Sequence, residues 1–363
     1  MKTLAVMTSG GDSPGMNAAI RSMVKVSAAR GVRVMGVIDG YDGLIDGVFR
    51  ELTAFSPGSP MGLAAATEVD LLGNEGGTLL GSARCARFRE KEWRTRAAGN
   101  LRGIDGLLVV GGNGSLTGAH LLAQECATLV VGIPASIDND IGCTGMALGV
   151  DTALNTIVES CDRITDTARS HKRVFVIEVM GRQSGYLAMA SAVAAGADGV
   201  LLREQGRSEE TIVDSVAAMI RAGITSDRAR RRILIIKAEG VEVPCTRLVR
   251  LVQERLVTDM PTLEIRGTVL GHLVRGGRPS YQDRMIAGRL SLAAVDALLE
   301  GVTDTMLAWM APVPGGTPTS DPAVSRFSLA RVLEETDALL DGTSVVTRWR
   351  LQTLNALEGA LGL

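Results

Sequence analysis

Short aliphatic runs alternate with stretches of helical periodicity along the whole chain. The runs at 4–8, 32–38, 106–110, 128–133, 174–179, 200–202, 233–238 and 268–270 are nearly continuous in apolar residues. That pattern belongs to strands buried on both faces. Between them, apolar positions recur at helical spacing over 16–29, 152–168, 209–222 and 281–300. Strands separated by helices predict an α/β chain with mostly parallel sheets and right-handed crossovers. The 363 residues leave room for two such cores, and the pattern divides near Gly149. The Pro- and Gly-rich segment 311–320 reads as a long surface loop ahead of two last helices, and 344–363 as a packing helix.

Three of the strands run into turns that suit an anion. The first is followed by Gly10-Gly11-Asp12-Ser13-Pro14-Gly15, with a helix expected to start near Pro14 or Gly15. Backbone N–H groups of such a turn can face a phosphate, and the helix N-terminus adds favourable potential. No Gly-Lys-Ser/Thr occurs in the chain, so this is not a Walker A loop, and its spacing does not fit GxGxxG. A second turn, Gly111-Gly112-Asn113-Gly114-Ser115, is expected to lead into a helix capped by Ser115.

The third turn, Pro134-Ala135-Ser136-Ile137-Asp138-Asn139-Asp140, places two carboxylates one residue apart after a buried strand. Ligands of open α/β sheets bind at such strand ends. Two acids there can divide phosphoryl transfer, one accepting a hydroxyl proton and the other holding Mg²⁺ beside the phosphates. Arginines beside or just after glycine-containing turns supply positive charge: Arg84, Arg182, Arg266 and Arg275, joined by Arg173 and His272. The guanidinium is a planar, always-charged fork suited to phosphate.

Composition narrows the classes. A formal net charge of -2 argues against a nucleic-acid-binding surface, and lysine occurs only at 2, 25, 91, 172 and 237. Cysteines 85, 126, 143, 161 and 245 show no CxxC pairing and read as reduced cytosolic thiols. Three histidines, at 120, 171 and 272, make no metal cluster. No apolar run approaches the roughly 20 residues of a membrane span. The N-terminus lacks the layout of a signal peptide, so a cytoplasmic protein is expected.

The segments 10–21, 81–84, 136–140, 180–182 and 271–277, in that order, resemble the 6-phosphofructokinase family over about residues 3 to 310. The resemblance implies two Rossmann-like αβα domains with mostly parallel sheets and the active site in the cleft between them. Residues 1–149 with about 274–325 would bind ATP, and 150–273 with about 326–363 would bind fructose 6-phosphate. It implies transfer of the γ-phosphoryl group of ATP to the 1-hydroxyl of fructose 6-phosphate, with Mg²⁺. Asp138 would be the base, with Ser136 standing where the family usually has threonine, and Gly11, Arg84 and Arg182 would steady the moving group. Asn113 and Asp140 fall on the metal side. Cys85, Gly112, Asn113, Gly114, Ser115 and Gly118, with Gly11 and Arg84, match the nucleotide side.

On the sugar-phosphate side the matches are Met180, Gly181, Arg182, Glu239, His272 and Arg275, with Ser136, Asp138 and Asp140. Arg173 and Arg266 match arginines that reach this pocket from a neighbouring subunit, which implies a homotetramer. No nucleic acid or membrane partner is implied. Many relatives carry an acid where this chain has Asn113. Arg21, Lys25, Asp198, Arg228 and Arg230 match parts of a bacterial effector pocket for ADP and phosphoenolpyruvate, whereas Ala54 and Thr165 replace its arginines. Pyrophosphate-using members typically have aspartate at the position of Gly114 and lysine at that of Ala135, so the small residues here favour ATP. Pyrophosphate as donor, and a non-catalytic phosphosugar-binding subunit, stand as the alternatives.

Overall fold

Strand pairing aligns the expected turns. In the computed structural model, which describes residues 1–171, 173–225 and 232–361, the chain divides into two compact units. Met1–Thr152 with Arg275–Leu339 form one, and Ala153–Val274 with Leu340–Leu363 the other.

Among the described residues, the first unit holds an eight-stranded sheet. Its order is Thr317–Pro318, Val324–Ser328, Thr305–Trp309, Leu129–Pro134, Gly106–Gly111, Thr3–Ser9, Arg33–Val37, Phe49–Glu51. The central strands are parallel and in register, Ser9 opposite Gly111 and Gly111 opposite Pro134. Their tips therefore end side by side. Leu4, Val6, Leu108, Val110, Val131 and Ile133 pack against helices Met16–Ala29 and Tyr281–Leu299. Those helices contribute Met16, Ile20 and Val24, and Ile286, Leu290 and Leu298, each set at four- or eight-residue intervals along one helical face. Full burial of each such side chain contributes about 1.5–3 kcal/mol.

The C-terminal crossing between units comes at Leu339–Leu340, not near 325 as expected. Strand Val324–Ser328 pairs antiparallel with Thr305–Trp309, which keeps it in the first sheet. Helix Leu329–Leu340 is held there too, because Gly142 N–H donates to Thr336 Oγ1 at 2.8 Å. The segment expected as a plain loop before two helices also contains Thr317–Pro318, paired with Val324–Ser328.

In the second unit the described strands run Ile265–Val269, Val174–Val179, Ile233–Ala238, Gly199–Leu201, all parallel. The strand expected at 268–270 begins earlier, since Gly267 interrupts the apolar pattern without breaking the strand. A Cβ at Gly267 would meet Cys245 Sγ at 2.9 Å, so the small residue lets helix Cys245–Leu256 lie close. The last helix, Val345–Leu361, packs on Tyr186–Ala195, with the Arg350 guanidinium 4.5 Å from the Tyr186 ring centre.

The division near Gly149 has a physical anchor. Asp283, fully buried, accepts from Gly149 N–H and Thr152 N–H at 2.9 Å each, and from the Thr152 hydroxyl. It thereby caps the first turn of helix Val150–His171. Burial pushes its carboxyl above the usual range, against these donors. All five cysteines are free, and among the described residues no helix is long and apolar enough to cross a membrane.

Candidate active site

Three adjacent strand tips of the first unit carry Gly10-Gly11-Asp12, Gly112-Asn113-Gly114-Ser115 and Ser136 to Asp140. A fourth segment, Gly81 to Arg89, is tied to the first tip. Thr8 Oγ1 donates to Gly81 O at 2.7 Å, Ser82 Oγ to Gly10 O at 2.8 Å, and Gly10 N–H to Ala83 O at 3.3 Å. Together they wall a cleft of about 600 Å³, within the usual range for a small-molecule site. Its lining includes Gly11, Arg84, Cys85, Gly112, Asn113, Gly114, Ser115, Gly118, Ser136, Asp138 and Arg275.

The turn that bears the acids is locked from inside. Asn139, buried, takes the left-handed conformation with φ 47°, which asparagine tolerates better than most residues. Its amide donates to Gly145 O at 3.1 Å and accepts from Ala147 N–H at 3.0 Å. Asp138 on one side lines the cleft. On the other, Asp140 accepts from Ser136 Oγ at 2.9 Å and from Asn113 Nδ2 at 3.1 Å, which joins the second and third tips. The amide oxygen of Asn113 is buried and has no hydrogen-bond partner among the described residues.

Two glycines of the cleft are closely approached by side chains. A Cβ on Gly11 would meet the Arg275 guanidinium at 2.9 Å, and Arg275 Nη1 donates to Asp12 O at 3.0 Å. A Cβ on Gly118 would meet the Tyr41 ring at 2.7 Å. Gly114 differs, with open space around it. Ser115 does not cap its helix as expected. Helix Asn113–Glu125 already starts at Asn113 with Gly112 as N-cap, so Asn113, Gly114 and Ser115 form its first turn. The Ser115 hydroxyl instead lies against Gly10 and Gly111.

Sequence reasoning missed the aromatic wall. Tyr41 and Phe88 line the cleft and stack with ring centres 3.9 Å apart, and Tyr41 OH donates to Ser115 O at 2.6 Å. A pair of this kind contributes about 0.5–1.5 kcal/mol beyond its burial. Burial holds the Tyr41 phenol well above its ordinary pKa. Cys85 donates to Asp42 Oδ1 at 3.1 Å, and burial, then that carboxylate, raises its pKa. In a chain with only 3% aromatic residues, the positions of Tyr41 and Phe88 were the available signal.

In the second unit, three neighbouring strand tips carry Met180-Gly181-Arg182, Glu239 and His272. Arg182, 77% exposed at its side chain, has Nε 3.5 Å from Glu239 Oε1. Gly181 has φ 126°, and its carbonyl accepts from Gly240 N–H at 3.1 Å. Arg173 and Arg266 are not at these tips. They sit at the amino-terminal end of the same sheet, where both pair with Glu264, at 2.5 and 3.2 Å. The six-residue strand Val174–Val179 separates Arg173 from Met180 by roughly 20 Å.

Of the residues matched to an effector pocket, Arg21, Lys25 and Asp198 are engaged within the chain. Arg21 and Lys25 both hold Asp70 Oδ1, at 3.1 and 2.8 Å, and Lys25, then Arg21, keep that carboxyl below its usual range. Buried Asp198 accepts from Leu234 N–H at 2.8 Å. Thr165 is buried and Ala54 exposed. Arg228 and Arg230 lie outside the described residues.

Fold and cleft define a class: a two-unit parallel α/β protein whose strand tips form a glycine-lined, arginine-edged anion site. Comparison with known proteins narrows it. The sequence model of a family described as Phosphofructokinase matches residues 3–298. The chain is 44% identical over 312 residues to the ATP-dependent 6-phosphofructokinase of Thermotoga petrophila, covering 85% of this chain and 90% of that protein. The structure of phosphofructokinase from Saccharomyces cerevisiae aligns with a TM-score of 0.78 at 32% identity, covering 98% of this chain. This chain spans half the length of that yeast chain. The pyrophosphate-dependent phosphofructokinase of Marinobacter aquaeolei aligns with a TM-score of 0.72 over 92% of this chain and 84% of its own, and at 20% identity shares the fold. The chain belongs to the phosphofructokinase family.

Proposed function

We propose that this chain is an ATP-dependent 6-phosphofructokinase, transferring the γ-phosphoryl group of ATP to the 1-hydroxyl of fructose 6-phosphate. The observation that carries this reading is the in-register alignment of the glycine turns with the Asp138–Asp140 turn around one cleft. The first unit takes the nucleotide, with Gly112, Gly114, Ser115, Gly118 and Cys85 beside its phosphates and sugar, and Tyr41 and Phe88 as an apolar wall. The second takes fructose 6-phosphate through Met180, Gly181, Arg182, Glu239 and His272, and Arg275 serves the same substrate.

Asp138 accepts the hydroxyl proton as the oxygen attacks. Gly11, Arg84 and Arg182 present positive potential to the oxygens of the moving group, where charge spreads in flight. Ser136 holds Asp140 on the far side of the turn.

Mg²⁺ suits the donors present. Asn113 offers a buried oxygen without a hydrogen-bond partner among the described residues, and Asp140 lies against the same amide. Those two residues would hold the ion, with water and phosphate oxygens completing a shell of the kind magnesium prefers. Bound there, it would neutralise phosphate charge. Asn113→Asp adds a negative charge, so the Mg²⁺ concentration giving half-maximal rate is expected to fall by roughly tenfold. An unchanged titration curve would separate this side chain from the metal.

The enzyme works as a homotetramer in which Arg173 and Arg266 complete a neighbour's sugar-phosphate site. Their position at the amino-terminal end of the sheet, away from Arg182 and Glu239, supports that reading. Free thiols suit a cytoplasmic location. The deciding test is a coupled assay for fructose 1,6-bisphosphate with ATP and pyrophosphate offered separately. Turnover with ATP is expected; turnover with pyrophosphate alone would reassign the donor.

A further inference from the structure

Lys237 lies on the strand Ile233–Ala238, with only 1% of its side chain exposed. Its Nζ is 2.8 Å from Glu178 Oε2 and also donates to Ala238 O at 3.1 Å. The two residues are register partners on adjacent parallel strands. Glu178 reaches further. Oε2 accepts from Cys245 N–H at 3.2 Å, at the start of helix Cys245–Leu256, and its carbonyl accepts from Leu270 N–H at 3.0 Å.

Just past this pair, both strands end in the tips described above. One continues to Met180-Gly181-Arg182 and the other to Glu239-Gly240. The tips are laced together: Glu239 N–H donates to Val179 O at 2.8 Å, Gly240 N–H to Gly181 O at 3.1 Å, and Arg182 faces Glu239. Leu270 leads to His272 on the third tip. Stability alone gives weak reason for such a pair, because well-packed apolar residues of similar volume often serve as well or better. What an apolar pair lacks is directed hydrogen bonds. Through their side chains, Glu178 and Lys237 together bond two strand ends and a helix start.

We propose that Lys237 and Glu178 are positioning residues: a buried cross-strand ion pair that holds Arg182 and Glu239 where a sugar phosphate is gripped. This rests on the reading that those tips bind fructose 6-phosphate. Neither residue touches the ligand. They act by fixing the group that does, and a displacement of about 1 Å in such a group can lower rate by about a hundredfold.

The test compares full-length wild type with Lys237→Met/Glu178→Leu, Glu178→Gln, and Arg182→Ala as a check on the site. Each is measured for kcat, KM for fructose 6-phosphate, KM for ATP, and melting temperature. The double variant refills the space, so it is expected to melt within about 3 °C of wild type. Its KM for fructose 6-phosphate is expected to rise about tenfold, while KM for ATP stays within about twofold. Glu178→Gln, which can still accept from Cys245 N–H, should show the same selective rise at about threefold. A merely structural pair would shift both KM values together, or neither, and either outcome overturns the proposal. Should the double variant fail to fold, Glu178→Gln decides by the same selectivity. If Arg182→Ala raises KM for fructose 6-phosphate and the pair variants do not, only the positioning role falls. If Arg182→Ala also leaves it unchanged, the site reading falls with it.

Discussion

Asp138→Asn is expected to lower kcat for fructose 6-phosphate phosphorylation by about 10²–10⁴-fold, the usual contribution of a general base. Asparagine keeps the volume and can still hydrogen-bond a sugar hydroxyl, but it cannot take the proton. Both KM values should therefore stay within about threefold of wild type, as for a group that acts chiefly in the transition state. The fold gives little reason for collateral damage. The turn is held by the side chain of Asn139 and by Ser136 and Asn113 on Asp140, none of which is altered by the substitution. Steady-state kinetics alongside a melting curve settle the matter. A loss of less than about tenfold with an unchanged melting temperature would assign the proton to another acceptor.

Gly114→Asp is expected to raise KM for ATP by about a hundredfold or more while leaving KM for fructose 6-phosphate unchanged. A Cβ at this position meets open space, so the substitution is sterically tolerated. An acid in the first turn of helix Asn113–Glu125 is even favourable to the helix itself. The melting temperature should hold or rise slightly. The cost falls on the ligand: a carboxylate about 4 Å from a phosphate charge is repelled by about 4 kcal/mol at the effective dielectric of a protein surface. Reduced for a longer separation or solvent screening, that still leaves about 100-fold. If KM for ATP moved less than about threefold, the nucleotide phosphates would not run past this turn.

Much of this arrangement was legible in the residues. The parallel strands announce themselves as unbroken aliphatic runs, because helices cover both sides of them. The turns at Gly10-Gly11, Gly112 to Ser115 and Ser136 to Asp140 follow those runs directly, so their convergence needed only a parallel sheet. Elements with half-exposed faces were harder. Val324–Ser328 reads Val-Ser-Arg-Phe-Ser, short and alternating, and it joins the sheet through long-range pairing with Thr305–Trp309. Gly267 hid the true start of Ile265–Val269, since its reason for being glycine is a helix arriving from elsewhere in the chain. The Tyr41–Phe88 wall and the Lys237–Glu178 pair also depend on contacts across 47 and 59 residues, which local periodicity does not register.

Asn139 carries a consequence for how such proteins are read. It is buried and supplies no proton, yet its left-handed backbone and the two hydrogen bonds of its side-chain amide hold the turn from which its flanking acids diverge. A homologue could preserve both aspartates and lose the asparagine to a branched residue, spelling the motif correctly while aiming its carboxylates wrongly. Inspecting the silent letter between the two acids would then separate working copies from decayed ones.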